Sequence, residues 1–222
     1  MKTGITIILL LCCSVFGYAQ NIIEKKNSFA VAGGMGVHLV AMPSLNEYIH
    51  LLATSVQQVN TFATAVGFFG DVEIPVSEQW GIKLEHEYLF KTYSIVTTYD
   101  VTYTIGYAVQ SPTIMAQYCL SGKGYFLKLN GGGGWHSGNV TISNPLSGND
   151  SVYSTSGPGF KFEAVGQTEF DEHLFGYIAG TLDAQALGKV KSTRGGELSR
   201  SGTSVALNYF SAGVRFGLIY YW

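Results

Sequence analysis

The segment from Thr203 to Trp222 constrains the fold more than any other. Read at period two, Phe210, Ala212, Val214, Phe216, Leu218, Tyr220 and Trp222 share one face, and Ser211, Gly213, Arg215 and Gly217 share the other. Alternation of this length is a strand signal. At ~3.3 Å per residue the segment outreaches a typical strand of about 5–6 residues. A soluble sheet has to cover so long an apolar face, whereas a barrel in a bilayer presents it to lipid. The expectation is a membrane-embedded β-barrel whose sheet is closed by this strand.

Composition agrees. Charged residues make up only 13% of the 222 residues, aromatics reach 14%, and there are 28 glycines, a pattern suited to lipid outside and a cramped interior. The formal net charge of −2 gives no electrostatic case for nucleic acid, whose binders are charge-rich. Residues 1–19 read as a secretory signal peptide: Lys2 is the positive start, Ile7 to Val15 is apolar apart from Ser14, and Gly17-Tyr18-Ala19 has the small-x-small cleavage pattern. The apolar run is shorter than the ~20 residues of a spanning helix. Cys12 and Cys13 lack the small preceding residue of a lipoprotein site. Cleavage would leave 20–222 as one barrel domain, and loss of Lys2 would take the charge from −2 to −3. Cys119 would be the remaining cysteine, which rules out an intrachain disulfide in that domain.

Eight strands are expected along the chain. The first runs from Phe29 to Val40 around Gly33, Gly34 and Gly36. Ser44-Leu45-Asn46-Glu47 fits a capping box, and Leu45, Tyr48, Leu52, Val56 and Val59 follow at helical spacing, so one short amphipathic helix is expected over 45–58, capping the barrel mouth or serving as a ligand lid. Strand two, 62–74, sets Phe62, Thr64, Val66, Phe68, Val72 and Ile74 against Ala63, Ala65, Gly67, Phe69, Asp71 and Glu73. Strand three sets Trp80, Ile82, Leu84, Tyr88 and Phe90 against Lys83, Glu85, Glu87 and Lys91, with His86 on the apolar side. Strand four, 101–120, contains Pro112, which lacks a ladder donor, so a bulge is expected at Ser111-Pro112. A hairpin turn at Ser121-Gly122-Lys123-Gly124 leads to strand five, 125–141, with Tyr125, Leu127, Leu129 and Trp135 outward and Phe126, Lys128, Asn130, Gly132, Gly134 and His136 inward. Residues 142–155 read as loop, and strand six, 157–170, opposes Phe160, Phe162 and Ala164 to Lys161, Glu163 and Gln167. Strand seven, 174–187, turns Tyr177, Thr181, Asp183 and Gln185 inward, and 188–203 reads as an aperiodic loop before the last strand. Short connections after the even strands and longer ones after the odd are the pattern of bacterial outer-membrane barrels.

The signal segment, the eight amphipathic strands, the alternating connections and the terminal Tyr220-Tyr221-Trp222 resemble the small eight-stranded outer-membrane β-barrel superfamily. The resemblance implies an antiparallel up-and-down barrel in the cell outer membrane, in contact with outer-membrane lipid. It also implies that Phe216, Leu218, Tyr220 and Trp222 form the C-terminal signal read by the barrel-assembly machinery. Trp222 stands where that signal usually has Phe.

The inward parities collect Asp71, Glu73, Glu85, Glu87 and Glu163 with Lys83, Lys91, Lys128, Lys161 and Arg215, five acids against five bases. Isolated buried charges are costly, so these groups are expected to pair as a salt-bridged plug in a lumen that side chains just fill. Arg215 ranks first, because its planar fork holds two carboxylates. Catalytic motifs are weak. Gly131 to Gly134 lacks the Lys-Ser/Thr of a phosphate loop. His136 and Ser137 are strand neighbours facing opposite sides, unsuited to act as base and nucleophile. The five histidines show no metal-binding spacing. The sequence therefore reads as a non-enzymatic barrel, without cofactor or metal, with a structural or surface-interaction role and an unknown surface ligand. The alternatives are a small pore or carrier for hydrophobic or small polar solutes, and a soluble lipocalin-like barrel with its apolar side inward.

Overall fold

The computed structural model describes residues 28–52, 62–96, 102–122, 125–143, 150–200 and 202–222. The signal segment, the expected helical positions Val56 and Val59, and the facings of Phe62, Ala63 and Tyr125 lie outside what is described. The elements are β1 (Ala30–Ala41), α1 (Pro43–Leu52), β2 (Phe62–Pro75), β3 (Trp80–Val96), β4 (Thr102–Gly122), β5 (Tyr125–Ser143), β6 (Asp150–Glu169), β7 (Leu174–Gln185) and β8 (Tyr209–Tyr221). Each strand pairs antiparallel with the next, and β8 pairs with β1 to close the barrel. Period-two alternation makes closure favourable: on β8 Phe210, Phe216, Leu218 and Tyr220 are exposed, while Ser211, Arg215 and Tyr221 are buried.

Register fixes the shape. Following paired residues around the wall leads from Ala30 through Glu73, Lys83, Met115, Gly132, Lys161, Asp183 and Ser211 back to β1 at Val40, ten residues from the start. At ~3.3 Å per residue and ~4.8 Å between strands, that stagger tilts eight strands by about 40°, and side chains then fill the interior. Close approaches mark two opposite seams. At β8–β1 a Cβ on Gly34 would lie 2.0 Å from the Phe216 carbonyl oxygen, and at β4–β5 a Cβ on Gly132 would lie 2.0 Å from that of Ile114. Only glycine lets the backbones meet so closely there. Four strands lie between these seams on either side, so β2–β3 and β6–β7 form opposing walls.

The exterior is apolar. Met35, Val37, Phe68, Ile82, Leu84, Ile114, Phe160, Phe162, Leu182 and Phe216 are exposed. Aromatic contacts fringe the band at both ends: Phe29–Trp222 (5.3 Å) and Trp80–Tyr118 (4.9 Å) by the short turns, Phe68–Phe90 (6.1 Å) and Tyr88–Phe90 (5.7 Å) towards the other end. Apolar outside and charged inside reverses the lipocalin-like alternative. Among the described residues no helix is long and apolar enough to cross a membrane; strands are the elements that cross in a barrel.

Several expectations need correction. No bulge forms at Pro112: Gln110↔Ser137 and Ile114↔Gly133 keep one register, and the β4–β5 ladder is simply open between them. The reason is Gly134, whose missing Cβ leaves room for the Pro112 carbonyl oxygen, 1.9 Å from where that carbon would be. The capping box does not form either. Pro43 opens α1, as suits a residue without an amide hydrogen. Ser44 Oγ instead accepts from Ala206 N (3.0 Å) and donates to Ser204 O (3.3 Å). The expected 142–155 loop is largely strand, because β5 and β6 run on to Ser143 and from Asp150. β3 likewise runs on to Val96. Residues 188–203 fold back rather than trailing: Lys191–Ser192 pair with β6, and Ser199–Arg200 with Thr203–Ser204. Their aperiodicity reflects turns at Gly188, Gly195 and Gly202, which have φ of 79°, 83° and 83°.

Candidate functional site in the barrel lumen

Alternation aims β2, β3, β5, β6, β7 and β8 side chains at the axis, and the charged ones meet there. Arg215 has no exposed surface. Its Nη1 and Nη2 donate to the two Glu85 oxygens at 2.9 and 2.8 Å, Nη2 also contacts Glu163, and the guanidinium lies 4.2 Å from the Phe69 ring centroid. Such a bidentate fork is the strongest pairing available to a carboxylate. Lys83 Nζ lies 3.0 Å from Asp71, 3.1 Å from Glu85 and 2.9 Å from Glu163, and 3.2 Å from the Tyr177 hydroxyl. Tyr177 donates to Glu163. Lys161 reaches across from β6 to Glu85 (2.7 Å), Glu87 and Asp183 (3.4 Å). Opposing walls are thus joined by ion pairs.

Towards the short turns, Lys128 pairs with Glu73 and donates to the Tyr221 hydroxyl at 2.7 Å, which donates to Gln167 at 2.6 Å. In the other direction His38 Nε2 stands 3.0 Å from Glu87 Oε1. Its ring occupies a slot opened by three glycines: a Cβ on Gly36, Gly67 or Gly213 would come within 3.1 Å of it. His136 contacts Gln185 and, at 3.2 Å, the Thr113 hydroxyl.

Beyond the histidines the lumen changes character. Val40, Leu89, Tyr107, Val109 and Val140 line it, and Leu187, Val190, Leu198, Val205 and Leu207 of the folded-back segment fill it, with Leu45 and Ile49 of α1 packed on top. Gly138 seats this plug, since a Cβ there would be 2.8 Å from Leu207. Thr155 donates to the Leu187 carbonyl, and Asn208 accepts from Gly188 N at 2.8 Å. On the exposed tip Glu197 accepts from Ser204 (2.8 Å) and pairs with Lys189 (3.1 Å). The Ser204 hydroxyl, and then Lys189, hold its carboxyl below the usual glutamate range.

The geometry brings together Asp71, Glu73, Lys83, Glu85, Glu87, Lys128, Lys161, Glu163 and Arg215. Lys91 does not join them. It sits half-buried higher on β3 with its ammonium 5.7 Å from the Tyr93 ring, and makes no ion pair among the described residues. Asp183 takes part instead, so the described cluster holds six carboxylates against four Lys and Arg side chains, with His38 the additional basic group. The inward parity of Asp183 was readable from β7. Tyr177 shared that signal, whereas His38 and the phenol of Tyr221 carried none, because an aromatic or histidine fits either face of a strand. Phe216, Leu218, Tyr220 and Trp222 project outward, all exposed. His136 is buried inside while Ser137 is exposed outside, so no Ser–His pair exists there. Gly131 to Gly134 lies mid-strand in β5, far from any helix start. Among the described residues no group of three or more His, Cys, Asp or Glu side chains is arranged to hold a metal.

No protein-family model and no curated protein matches the sequence. Among solved structures the chain is similar to a major outer membrane protein from Thermus thermophilus, with a TM-score of 0.54 and 11% identity over 88% of this chain and 100% of that one. It is also similar to Neisserial surface protein A, with a TM-score of 0.50 and 10% identity over 87% and 97%. The outer membrane protease OmpT from Escherichia coli aligns at 0.44 and 6% identity over 89% and 97%, too slight a likeness to bear on activity. The chain has the fold of the small outer-membrane β-barrels, an antiparallel eight-stranded up-and-down barrel.

Proposed function

We propose that this protein is a non-enzymatic integral outer-membrane barrel with a closed lumen, serving a structural or surface-interaction role. One observation carries the reading: the axis is occupied along its length by buried side chains, ion-paired around Arg215, Lys83 and Lys161 and apolar around Leu187 and Leu207. The apolar exterior between two aromatic fringes supports residence in the outer membrane, with lipid as its principal partner. Cleavage after Ala19 and recognition of Phe216, Leu218, Tyr220 and Trp222 by the barrel-assembly machinery complete the biogenesis that this reading requires. Purified, folded protein should run faster on unheated gels than after boiling and should show negligible conductance in planar bilayers. Steady single-channel currents from folded protein would replace this reading with the pore or carrier.

A further inference from the structure

We infer that the outer wall of β3–β6 carries a binding groove for the saccharide headgroup of an outer-leaflet glycolipid. A shallow cavity of about 430 Å³ opens there, within the ~300–1,000 Å³ range of small-molecule sites. Strand lengths create it. β3, β4, β5 and β6 span 17, 21, 19 and 20 residues, whereas β1, β2, β7 and β8 span 12, 14, 12 and 13. A tilted strand crosses a bilayer in about 9–11 residues, so one half of the wall continues above the apolar band.

Register builds the groove. Gly106 lies between Thr92 on β3 and Thr141 on β5, and Ala108 between Phe90 and Asn139. The two small residues form a floor flanked by larger side chains. The exposed rings of Tyr88 and Phe90 border it below. With a tilt of about 40°, each strand from β1 towards β8 lifts a paired residue by ~3 Å, so Asn139 stands roughly 6 Å above Phe90. The groove therefore starts at the aromatic fringe and climbs away from the lipid band.

Its chemistry selects the occupant. Ring faces below and Thr, Ser and Asn groups above match the apolar CH face and the hydroxyls of a sugar. Lys91 borders the groove, but its ammonium is drawn over Tyr93, which packs against the lumen cluster. Among the described residues no ammonium or guanidinium is directed into it, so the groove suits a neutral saccharide rather than a phosphate. Its position at the fringe favours a sugar tethered to lipid over a free one.

The inference rests on the outer-membrane reading, and the test separates the two. Full-chain protein in phospholipid vesicles, with folding verified by the gel shift, is titrated with three probes: a diacylglycerol glycolipid bearing an uncharged disaccharide, the same diacylglycerol without the sugar, and the free disaccharide. The sugar-bearing glycolipid should bind at least tenfold more tightly than either other probe. Gly106→Leu should abolish that advantage by filling the floor. An added Cβ there meets only Thr92 Oγ1 at 3.6 Å and the Lys91 carbonyl oxygen at 3.8 Å, so the wall accommodates it. Asn139→Leu, which removes an amide, gives a second loss-of-binding variant. Gly180→Leu on β7, where a Cβ meets nothing within 4 Å, should bind as the parent does. Equal binding of the sugar-free lipid and the sugar-bearing lipid, equal binding of the free disaccharide, or undiminished binding by folded Gly106→Leu would overturn the groove and leave the barrel's membrane residence intact. Failure of the parent chain to insert into vesicles at all would overturn both.

Discussion

The two halves of the lumen are closed by different physics. Around Arg215 the walls are held by ion pairs between named atoms at 2.7 to 3.4 Å. Around Leu207 they are held by apolar packing that any shape-matched side chain satisfies. A buried charge network specifies one arrangement, because a displaced partner leaves an uncompensated charge. An apolar plug only requires filled volume, and tolerates repacking. The ionic half thus fixes which strands face each other, and the apolar half seals whatever mouth results. The chain topology agrees, since the ionic half is built wholly from barrel strands, whereas the plug comes from the segment between β7 and β8 and from α1.

Substitutions can break this contrast. Arg215→Ala should have the largest effect, about 3–5 kcal/mol of unfolding free energy, because Glu85 and Glu163 lose their shared guanidinium. Urea titration of the barrel in detergent micelles measures it. Combining Arg215→Met with Glu163→Gln should recover part of the loss, whereas Lys91→Ala should change little. Loss at Lys91 equal to that at Arg215 would show that the ion cluster is mislocated. Leu207→Ala should cost roughly 3 kcal/mol through the cavity it leaves, yet planar bilayers should still show no current, since the ionic half remains closed. Current from this variant would make the apolar plug the sole barrier. Phe216→Arg tests the wall, not the lumen. It should cost roughly 2–4 kcal/mol if it lies near mid-bilayer, read from the same titration in lipid vesicles, and a neutral result would contradict the outward register of β8.

The smallest effect concerns the exposed tip. The Glu197 carboxyl is held below its ordinary range by the Ser204 hydroxyl and then by Lys189, so its contribution is present above the usual glutamate pKa and fades as pH falls through the lowered value. Hydrogen-exchange protection of residues 188–206 should therefore weaken on acidification in the parent protein and respond less in Glu197→Gln. Identical pH responses would remove Glu197 from the account of how the plug is fastened.

Much of this was legible in the sequence. Period two on β2, β3, β5 and β8 assigned Asp71, Lys83, Glu85, Lys128 and Arg215 to the inside, because one residue of slip would place every one of them against lipid. Lys91 was misread for a related reason: parity reports which side of the sheet a residue faces, not its height along the axis. Pro112 misled because its tolerance depends on Gly134 in another strand. Ser44 misled because a distant backbone, at Ser204 and Ala206, outcompeted its own helix.

Alternating polarity by itself determined that this chain forms strands with one greasy and one ionic face, and hence that it closes into a barrel with lipid outside. Tertiary structure alone decided the ten-residue stagger, the glycine seams that set β2–β3 opposite β6–β7, the pairing of Lys161 with Asp183, and the folding of residues 188–208 into the mouth. Polarity is a property of each residue in turn, whereas height and partnership depend on segments far apart in the chain meeting across a narrow lumen.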